Sequence, residues 1–186
     1  MKAKFRSVAY SHTTITELMI PAYANFGGKI HGGIILSLMD KVAYACAAKH
    51  SRGYSVTVSV SNVNFIAPIE VGDLVSLTAS VNYVGKSSMV IGIRVDAENC
   101  LTGEITHANS SYFTMVAMEE DRTPRSVPGL ILETKDDVLK FVQAMRYRKS
   151  RFELQEEFDQ YKSNINLSEE LNTGLLEGQN CMVIDL

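Results

Sequence analysis

The sequence predicts an α+β fold in which a curved antiparallel sheet wraps around one central helix. Two observations lead to this prediction. Segments beyond residue 55 alternate apolar and polar residues with the period of two that half-buried strands show. By contrast, the segment Ile34–Ala48 is apolar or small at nearly every position, as in a buried helix. A single substantial helix with one strand before it and four after it is typical of the α+β class.

The first strand and its approach are expected within residues 3–20. A glycine-containing stretch, residues 21–33, then leads into the helix, which should begin near Gly32 or Gly33. The unpaired N–H groups and the dipole of such a helix end stabilise an anion, either a phosphate or the oxyanion of an attacked carbonyl. Glycines that only turn the chain and cap the helix are the structural alternative.

The helix carries one carboxylate, Asp40, although most of its circumference is expected to be buried. A carboxylate buried without partners costs several kcal/mol, so this residue requires an explanation. Helix geometry leaves two interpretations open. Asp40 either lies on a solvated edge with Lys41 and Lys49, or it is a functional acid.

The segment of residues 55–66 predicts the next strand. Its alternation places Val56, Val58 and Val60 on one face, and the apolar parity then changes to Val63 and Phe65. That change indicates a bulge, or a long strand whose two halves face different surroundings.

Two alternating segments, residues 75–83 and 88–96, predict an antiparallel hairpin closed at Gly85-Lys86. A second turn near residues 99–103 leads into a last long strand, residues 104–118, whose alternation is weaker.

The character of the chain changes after residue 119. Residues 119–129 are charged and contain two prolines, which indicates a linker. Thr134 is expected to cap a following helix, with Asp137 at the capping-box position. The charges of residues 146–159 favour a solvated helix over a ligand site. We therefore divide the chain into a domain of residues 1–119 and an extension of residues 120–186, in which residues 163–186 give no firm signal.

Composition excludes several classes of protein. The 46% hydrophobic content supports a core, and the net charge of -3 provides no basic footprint for nucleic acid. Neither a signal peptide nor a membrane-crossing segment is expected. The cysteines, Cys46, Cys100 and Cys181, have no metal-ligand spacing and are expected to be free thiols in a cytoplasmic protein. The four histidines likewise lack the spacing of a zinc site, so no metal is expected.

Several motifs together resemble one enzyme family. In chain order they are Asn25, Gly28, His31-Gly32-Gly33, Met39-Asp40, Val56-Thr57-Val58, Phe65, Pro68, Gly72-Asp73 and Gly85-Lys86-Ser87-Ser88-Met89. Their order and spacing resemble the hotdog-fold acyl-CoA thioesterases of the cytosolic acyl-CoA hydrolase type, over roughly residues 5–118. Several motifs in register are more specific than any one of them. The resemblance implies the hotdog fold and hydrolysis of acyl-CoA to fatty acid and CoA.

The resemblance also implies roles for individual residues. Asp40 would act as the general base on water, or as a nucleophile through an acyl anhydride. Asn25 of the partner subunit would orient the water or polarise the carbonyl, and the Gly33 N–H would help to bind the oxyanion. Thr57, on the facing strand, would hold Asp40 or the water, whereas its structural alternative is an ordinary strand threonine. His31 would order the loop.

The CoA moiety is assigned to a second group of residues. Pantetheine would run along the Val58-Ser59 backbone, and Gly32 belongs to the same CoA-binding set. Lys86, Ser87 and Ser88 would bind the nucleotide end, because a turn offers N–H groups and a cation to phosphate. A simple hairpin turn is the alternative. No cofactor is expected beyond the CoA that substrate and product contain.

The resemblance implies a homodimer that covers exposed sheet edges, commonly as a trimer of dimers. Two other functions stay open. One is a dehydratase or hydratase of the same fold, for which His31 and Asp40 are the only candidate pair of histidine and acid. The other is a non-catalytic acyl-CoA sensor.

Overall fold

The computed structural model describes residues 4–166. Its elements, in chain order, are β1 (Phe5–Ser7), α1 (Val8–Ser11), β2 (Thr13–Leu18), α2 (Gly32–Ser51), β3 (Ser55–Val60), β4 (Asp73–Val84), β5 (Ser88–Asn99), β6 (Ile105–Ala117), β7 (Gly129–Ile131) and α3 (Lys135–Asn164). A short 3-10 turn at Pro21–Tyr23 precedes α2.

Five strands form one antiparallel sheet in the order β2-β4-β5-β6-β3. Strands β4, β5 and β6 are neighbours because short turns connect them. Strand β3, which follows α2, lies at one edge of the sheet, and β2 lies at the other. The predicted architecture, an antiparallel sheet packed against one long helix, is confirmed.

Helix α2 packs one face against the sheet. Its buried apolar residues recur every three or four positions: Ile35, Leu38, Met39, Val42, Ala43, Cys46 and Ala47. Each large apolar side chain contributes about 1.5–3 kcal/mol when it is fully buried. The prediction that most of the circumference is buried is wrong for a single chain. Asp40, Lys41 and Tyr44 are exposed, because the sheet covers only one side of the helix.

Strand β3 is shorter than predicted, since it ends at Val60 instead of continuing to residue 66. The chain nevertheless stays beside β6. Ser61 N donates to Tyr112 O at 2.9 Å, and Ile66 N donates to Ala108 O at 3.0 Å. These separated bonds keep residues 61–66 near the sheet without a continuous ladder.

A bulge interrupts β3 between Thr57 and Ser59. The sequence predicted an irregularity, but farther along the strand. The predicted single face for the three valines is wrong, because a bulge changes the parity of the residues beyond it. Thr57 pairs with buried Met115, whereas Val60 pairs with buried Phe113, so Thr57 and Val60 share the side of the sheet on which these two core residues lie, although both remain exposed at the sheet edge.

Strands β4 and β5 form the predicted hairpin. Gly85 N donates to Ser88 O at 2.8 Å and closes the turn. The predicted second turn is also present, because Gly103 N donates to Asn99 O at 2.8 Å. Gly103 has a φ of 72°, a conformation that favours glycine.

The chain around residues 3–20 differs from the single strand that we expected. Strand β1 pairs in parallel with β7, and the short helix α1 separates it from β2. Gly129, at the end of the predicted linker, pairs with Phe5. Parallel pairing joins segments that are distant in the sequence, so no local pattern indicates it.

Helix α3 begins with the predicted capping box. Asp137 N donates to Thr134 Oγ1 at 3.0 Å, and Thr134 N donates to Asp137 Oδ2 at 3.0 Å. Its first turns carry an apolar stripe, Val138, Leu139, Phe141, Val142 and Met145. Phe141 and Val142 are half-buried, and the Phe141 ring lies 5.3 Å from the ring of Tyr83. The remaining stripe residues, Val138, Leu139 and Met145, are exposed.

One compact unit ends at Met145 and another begins at Arg146. In the second unit, the described helical residues are largely exposed and include the ion pair Lys149–Glu153 at 3.6 Å. This exposure agrees with a solvated charged helix. The domain boundary at residue 119 stays a prediction, and Cys181 lies outside the described residues.

Candidate active site

A tight turn holds Asn25 ahead of helix α2. Asn25 N donates to Lys29 O at 2.7 Å, and Gly28 N donates to Asn25 O at 3.0 Å. The side-chain oxygen of Asn25 accepts hydrogen bonds from Gly27 N at 2.8 Å and Lys29 N at 3.2 Å. Because its oxygen is occupied by the turn, Asn25 presents its amide Nδ2 as a donor. Phe26, at the tip of the same turn, is fully exposed.

His31 caps the start of helix α2. Its Nδ1 accepts a hydrogen bond from Gly33 N at 2.9 Å, and its carbonyl accepts one from Ile34 N at 2.9 Å. The Gly33 N–H assigned to the oxyanion is therefore paired with His31 in this structure. Among the contacts of the described chain, the Gly32 N–H has no acceptor. A helix start with a donor unpaired can bind a developing negative charge.

Gly32 permits an aromatic ring to approach the helix start. A Cβ at this position would lie 3.0 Å from Cζ of Phe65, closer than side chains normally pack. A side chain at position 32 would therefore require the exposed Phe65 ring to move by a few tenths of an ångström, and the glycine lets this apolar ring lie beside the helix N-terminus.

Asp40 and Thr57 meet between helix α2 and strand β3. Thr57 Oγ1 donates to Asp40 Oδ1 at 2.6 Å and lies 3.1 Å from the sulfur of Met115. Pairing of Thr57 with Met115 across the two strands directs its hydroxyl toward the helix. The structure therefore brings together two of the predicted site residues, one from each element.

The remaining surroundings of Asp40 are open. Its side chain is exposed in a single chain, and no ion pair of the described residues includes it. Thr57 occupies one carboxylate oxygen, which leaves Oδ2 to accept a proton. A fixed carboxylate with one unoccupied oxygen can act as a general base on water.

A single chain does not join Asn25 to Asp40, since no hydrogen bond of the described residues connects them. His31 and Asp40 are not hydrogen-bonded either. The predicted catalytic residues thus fall into two groups, Asp40 with Thr57 and Asn25 within its own turn.

The two residues assigned to pantetheine lie at the bulge of the edge strand. Val58 is the position that the β3–β6 register skips, and its side chain is exposed. Ser59 resumes the pairing, opposite Thr114. A bulge on an edge strand leaves main-chain groups outside the regular ladder.

The predicted nucleotide site occupies the β4–β5 turn. Lys86 is exposed and carries no ion pair among the described residues, whereas Ser87 and Ser88 are half-buried. The carbonyl oxygens of Lys86 and Ser87 accept bonds from Val127 N and Ala117 N, each at 3.0 Å. Ser88 pairs with Val116 of β6, which in turn pairs with Val56 of β3. At the usual strand spacing, the backbones of Ser88 and Val56 are therefore roughly 10 Å apart.

Sequence reasoning missed one pair of histidine and acid. His107 Nδ1 lies 3.0 Å from Asp96 Oδ1 on neighbouring strands. The expectation that His31 and Asp40 are the only candidate pair is therefore wrong. The two residues are 11 positions apart on different strands, and only the register of β5 on β6 joins them.

Other nucleophiles and ligands are poorly placed. Burial raises the pKa of the Cys46 thiol to about 12, which leaves almost no thiolate at neutral pH. Cys100 is exposed and free. Within residues 4–166, no three His, Cys, Asp or Glu side chains are grouped to hold a metal. No helix in that range has both the length and the apolar composition needed to cross a bilayer.

Comparisons with known proteins place these features in a family. A family model described as the thioesterase superfamily matches residues 27–116. The chain is 42% identical to Protein VdlD of Helicobacter pylori over 137 residues, which cover 74% of this chain and 78% of that protein. It is 34% identical to the uncharacterized acyl-CoA thioester hydrolase YkhA of Bacillus subtilis over 139 residues, which cover 73% of this chain and 81% of that protein.

Solved structures agree. A hexameric acyl-CoA thioesterase superposes with a TM-score of 0.79 at 33% identity, over 82% of this chain and 97% of that one. The acyl-CoA hydrolase of Staphylococcus aureus, in complex with butyryl coenzyme A and coenzyme A, superposes with a TM-score of 0.76 at 26% identity, over 86% of this chain and 99% of that one. Variants of that hydrolase replace an asparagine, an aspartate and a threonine by alanine. From its sequence, its sheet-and-helix architecture and these relatives, the chain belongs to the thioesterase superfamily, among the hotdog-fold acyl-CoA thioesterases.

Proposed function

We propose that this acyl-CoA thioesterase hydrolyses its substrate with Asp40 as the general base. The observation that carries the proposal is the 2.6 Å hydrogen bond from Thr57 to Asp40. This bond fixes one carboxylate oxygen, so the other can take a proton from an attacking water. The water oxygen then bonds to the carbonyl carbon, the C–S bond breaks, and the proton passes to the CoA thiolate. The products are a fatty acid and CoA, which places the enzyme in fatty acid metabolism.

Asn25 of a partner subunit is the proposed second catalytic residue. Its turn is exposed and its amide Nδ2 is available to donate. The asparagine, aspartate and threonine replaced in the Staphylococcus aureus hydrolase are 15 and 17 positions apart. Asn25, Asp40 and Thr57 have the same two separations. An amide fixed as a donor favours polarisation of the carbonyl over acceptance of a proton from water.

The helix start is the proposed oxyanion site. The Gly32 N–H is available, whereas the Gly33 N–H binds His31. For Gly33 to donate to the oxyanion as expected from the resemblance, the His31 ring has to turn away from it. Either donor lies in the first turn of the 20-residue helix α2, where the helix dipole favours negative charge.

The proposed path of CoA follows the edge strand. Pantetheine would contact the main chain at Val58 and Ser59, beside the bulge. Lys86 with its two following serines would bind phosphate through the Lys86 ammonium and the serine hydroxyls. The Lys86 and Ser87 carbonyls are already bound, which directs those peptide groups toward β6 and the Val127 segment.

The proposed assembly is a homodimer joined at β3 and then a trimer of dimers. Strand β3 is a sheet edge, and exposed edges of this kind are usually covered. Its Val58 and Val60 are exposed, and so are Tyr44 of α2 and Tyr54 just before β3, whose rings lie 6.3 Å apart. The similar thioesterase described as hexameric supports this assembly. In the dimer, the exposed Asp40 would become enclosed and Asn25 could reach it.

The test is release of free thiol from acyl-CoAs of several chain lengths by wild type, Asp40→Asn and Asp136→Asn. Asp136 is an exposed aspartate paired with Lys140, so it is the matched control. We expect Asp40→Asn to lose about 10²–10⁴-fold in kcat/KM, with ligand binding retained. Activity of Asp40→Asn equal to that of the control would refute the general base. Tight binding without hydrolysis by wild type would favour the acyl-CoA sensor.

We further propose that the reaction needs no metal and no cofactor apart from the CoA of the substrate. A carboxylate, a hydroxyl and an amide suffice for this hydrolysis. We place the enzyme in the cytoplasm, which the free thiols Cys46 and Cys100 support. Undiminished thiol release in the presence of EDTA would support the first proposal.

A further inference from the structure

A chain of hydrogen bonds connects Asp96, His107 and Ser110 away from the Asp40 site. His107 Nδ1 lies 3.0 Å from Asp96 Oδ1, and His107 Nε2 lies 3.2 Å from Ser110 Oγ. Because the carboxylate is an acceptor, the Nδ1 nitrogen donates to it. Nε2 is then the ring nitrogen that accepts from the serine hydroxyl. This is the order of atoms through which a histidine activates a serine.

A second bulge produces this arrangement. In the β5–β6 pairing, Asn109 lies opposite Val95 and His107 lies opposite Asp96, so Ala108 is an extra residue. Regular alternation would place residues 107 and 110 on opposite faces of the sheet. With the bulge, Ala108 and Asn109 are both buried, while the flanking His107 and Ser110 share the outer face.

In a nucleophilic site, the nucleophile must be open to substrate while the groups behind it are held in place, and Ser110, His107 and Asp96 differ in exposure in this way. Ser110 is exposed, whereas Asp96 and His107 retain only 25% and 29% of their side-chain exposure. The other oxygen of Asp96 accepts a hydrogen bond from Arg94 Nε at 2.7 Å, so both oxygens are held. Arg94 also lies directly opposite Ser110 in the strand register. Arg94 thus brings a positive charge to the same face of the sheet as Ser110, while its Nε holds Asp96.

We propose that Ser110 is a second acyl-accepting nucleophile, which hydrolyses small carboxylic esters of phenols. Ser110 Oγ bonds to the ester carbonyl carbon, and His107 Nε2 takes the hydroxyl proton. The bond to the phenol oxygen breaks, and the imidazolium returns the proton to the departing phenolate. The same imidazole then takes a proton from water, whose oxygen bonds to the carbonyl carbon of the serine ester. The bond from that carbon to Ser110 Oγ breaks, the imidazolium returns the proton to Oγ, and the carboxylic acid leaves. This activity is separate from the proposed Asp40 chemistry and does not depend on it.

Hydroxyls elsewhere on the same sheet provide the contrast. Ser76 Oγ lies 3.2 Å from Thr16 Oγ1, and Thr14 Oγ1 lies 3.3 Å from Thr78 Oγ1, in pairs without a base. Such pairs are ordinary cross-strand contacts. Ser110 differs because its partner is an imidazole that is itself bound to a carboxylate.

The experiment uses the full chain carrying Asp40→Asn, so that hydrolysis at the first site does not obscure the second. A fluorophosphonate probe is added, and the modified residue is located by peptide mass spectrometry. Attack by Ser110 displaces fluoride from phosphorus. We expect an adduct at Ser110, formed about 10²-fold more slowly after His107→Gln. Hydrolysis of p-nitrophenyl acetate should fall in the same variant and in Ser110→Ala, but not in Ser76→Ala.

An adduct absent from Ser110, or formed equally fast in His107→Gln, would overturn the proposal. Thermal unfolding establishes that each variant folds. Asp96→Asn provides a second comparison should His107→Gln fail to fold, because it keeps the side-chain shape and removes the charge behind the imidazole. Labelling unchanged in Asp96→Asn would likewise refute the arrangement.

Discussion

His31 Nδ1 accepts a hydrogen bond from Gly33 N at 2.9 Å, so one side chain both caps helix α2 and occupies a donor of the helix start. A histidine at this position acts as the acceptor that Ser, Asp or Asn usually supplies. The cap links the glycine-rich stretch to the helix on which Asp40 lies.

Replacing His31 by alanine should therefore destabilise the protein. Loss of an N-cap acceptor costs about 0.5–2 kcal/mol, whereas His31→Asn should retain most of the stability. Urea unfolding of the three proteins measures the difference. Equal losses in His31→Ala and His31→Asn would show that the cap contributes nothing and that ring packing dominates.

Removal of the Thr57 hydroxyl should lower turnover more than binding. Thr57→Val keeps the branched shape but leaves Asp40 without its donor, and a hydrogen bond to a charged group contributes about 1.5–3 kcal/mol. We expect kcat to fall roughly 10- to 100-fold at that energy, with KM little changed. Thr57→Ser is the control, since it restores the hydroxyl. If Thr57→Ser loses as much as Thr57→Val, the methyl group and not the hydroxyl is responsible.

Gly32→Ala should be destabilising through contact with Phe65. Its Cβ would lie 3.0 Å from the ring, and because Phe65 is exposed and can move, we expect a cost at the lower end of the range of about 1–3 kcal/mol that overpacking of a core causes. In a Phe65→Ala background the same substitution should cost much less, because the ring is gone. A double-mutant cycle by thermal or urea unfolding gives the coupling. If the changes in the free energy of unfolding from Gly32→Ala and Phe65→Ala simply add, the cost of Gly32→Ala arises in the helix backbone and not from contact with the ring.

His50 should make stability fall in mild acid. It is fully buried, its Nε2 donates to Pro128 O at 2.9 Å, and its buried Nδ1 has no hydrogen-bond partner among residues 4–166. Desolvation lowers the pKa of His50 from the ordinary value of 6.5, despite its hydrogen bond to Pro128. Below pH 6.5 the His50 side chain is protonated in the unfolded chain but stays neutral in the folded protein. The free energy of unfolding therefore decreases as the pH falls toward the folded pKa.

His50→Gln should flatten this dependence, since its amide can still donate to Pro128 but does not titrate. Urea midpoints at pH 7.5 and pH 5.5 compare the two proteins. Parallel pH dependence in wild type and variant would assign the acid sensitivity to other groups.

Local patterns predicted the elements whose causes are local. The alternation of residues 75–83 and 88–96, with glycine at the turn, was sufficient for the β4–β5 hairpin. The capping box at Thr134 and Asp137 could be read from two residues three positions apart. Asp40 was recognisable as a candidate because it interrupts an apolar helix, and the ordered motifs connected it with Thr57.

Features made by distant contacts could not be obtained in this way. The parallel β1–β7 pair joins segments more than 120 positions apart. The exposure of Asp40 depends on which side of α2 the sheet covers, which helix composition does not specify. The hydrogen bond from Gly33 N to His31 Nδ1 depends on the rotamer of the His31 side chain, which the sequence does not specify.

Periodicity and ordered motifs encode the α+β class, the order of the main strands along the chain and the family to which the chain belongs, so residue patterns were enough to predict them. By contrast, two relationships depend on how the strands pair and pack: the hydrogen bond from Thr57 to Asp40, and the hydrogen-bonded chain of Asp96, His107 and Ser110. The first depends on the strand register that places Thr57 opposite Met115, and the second on the bulge at Ala108, which shifts strand parity by one residue and so decides which side chains share a face.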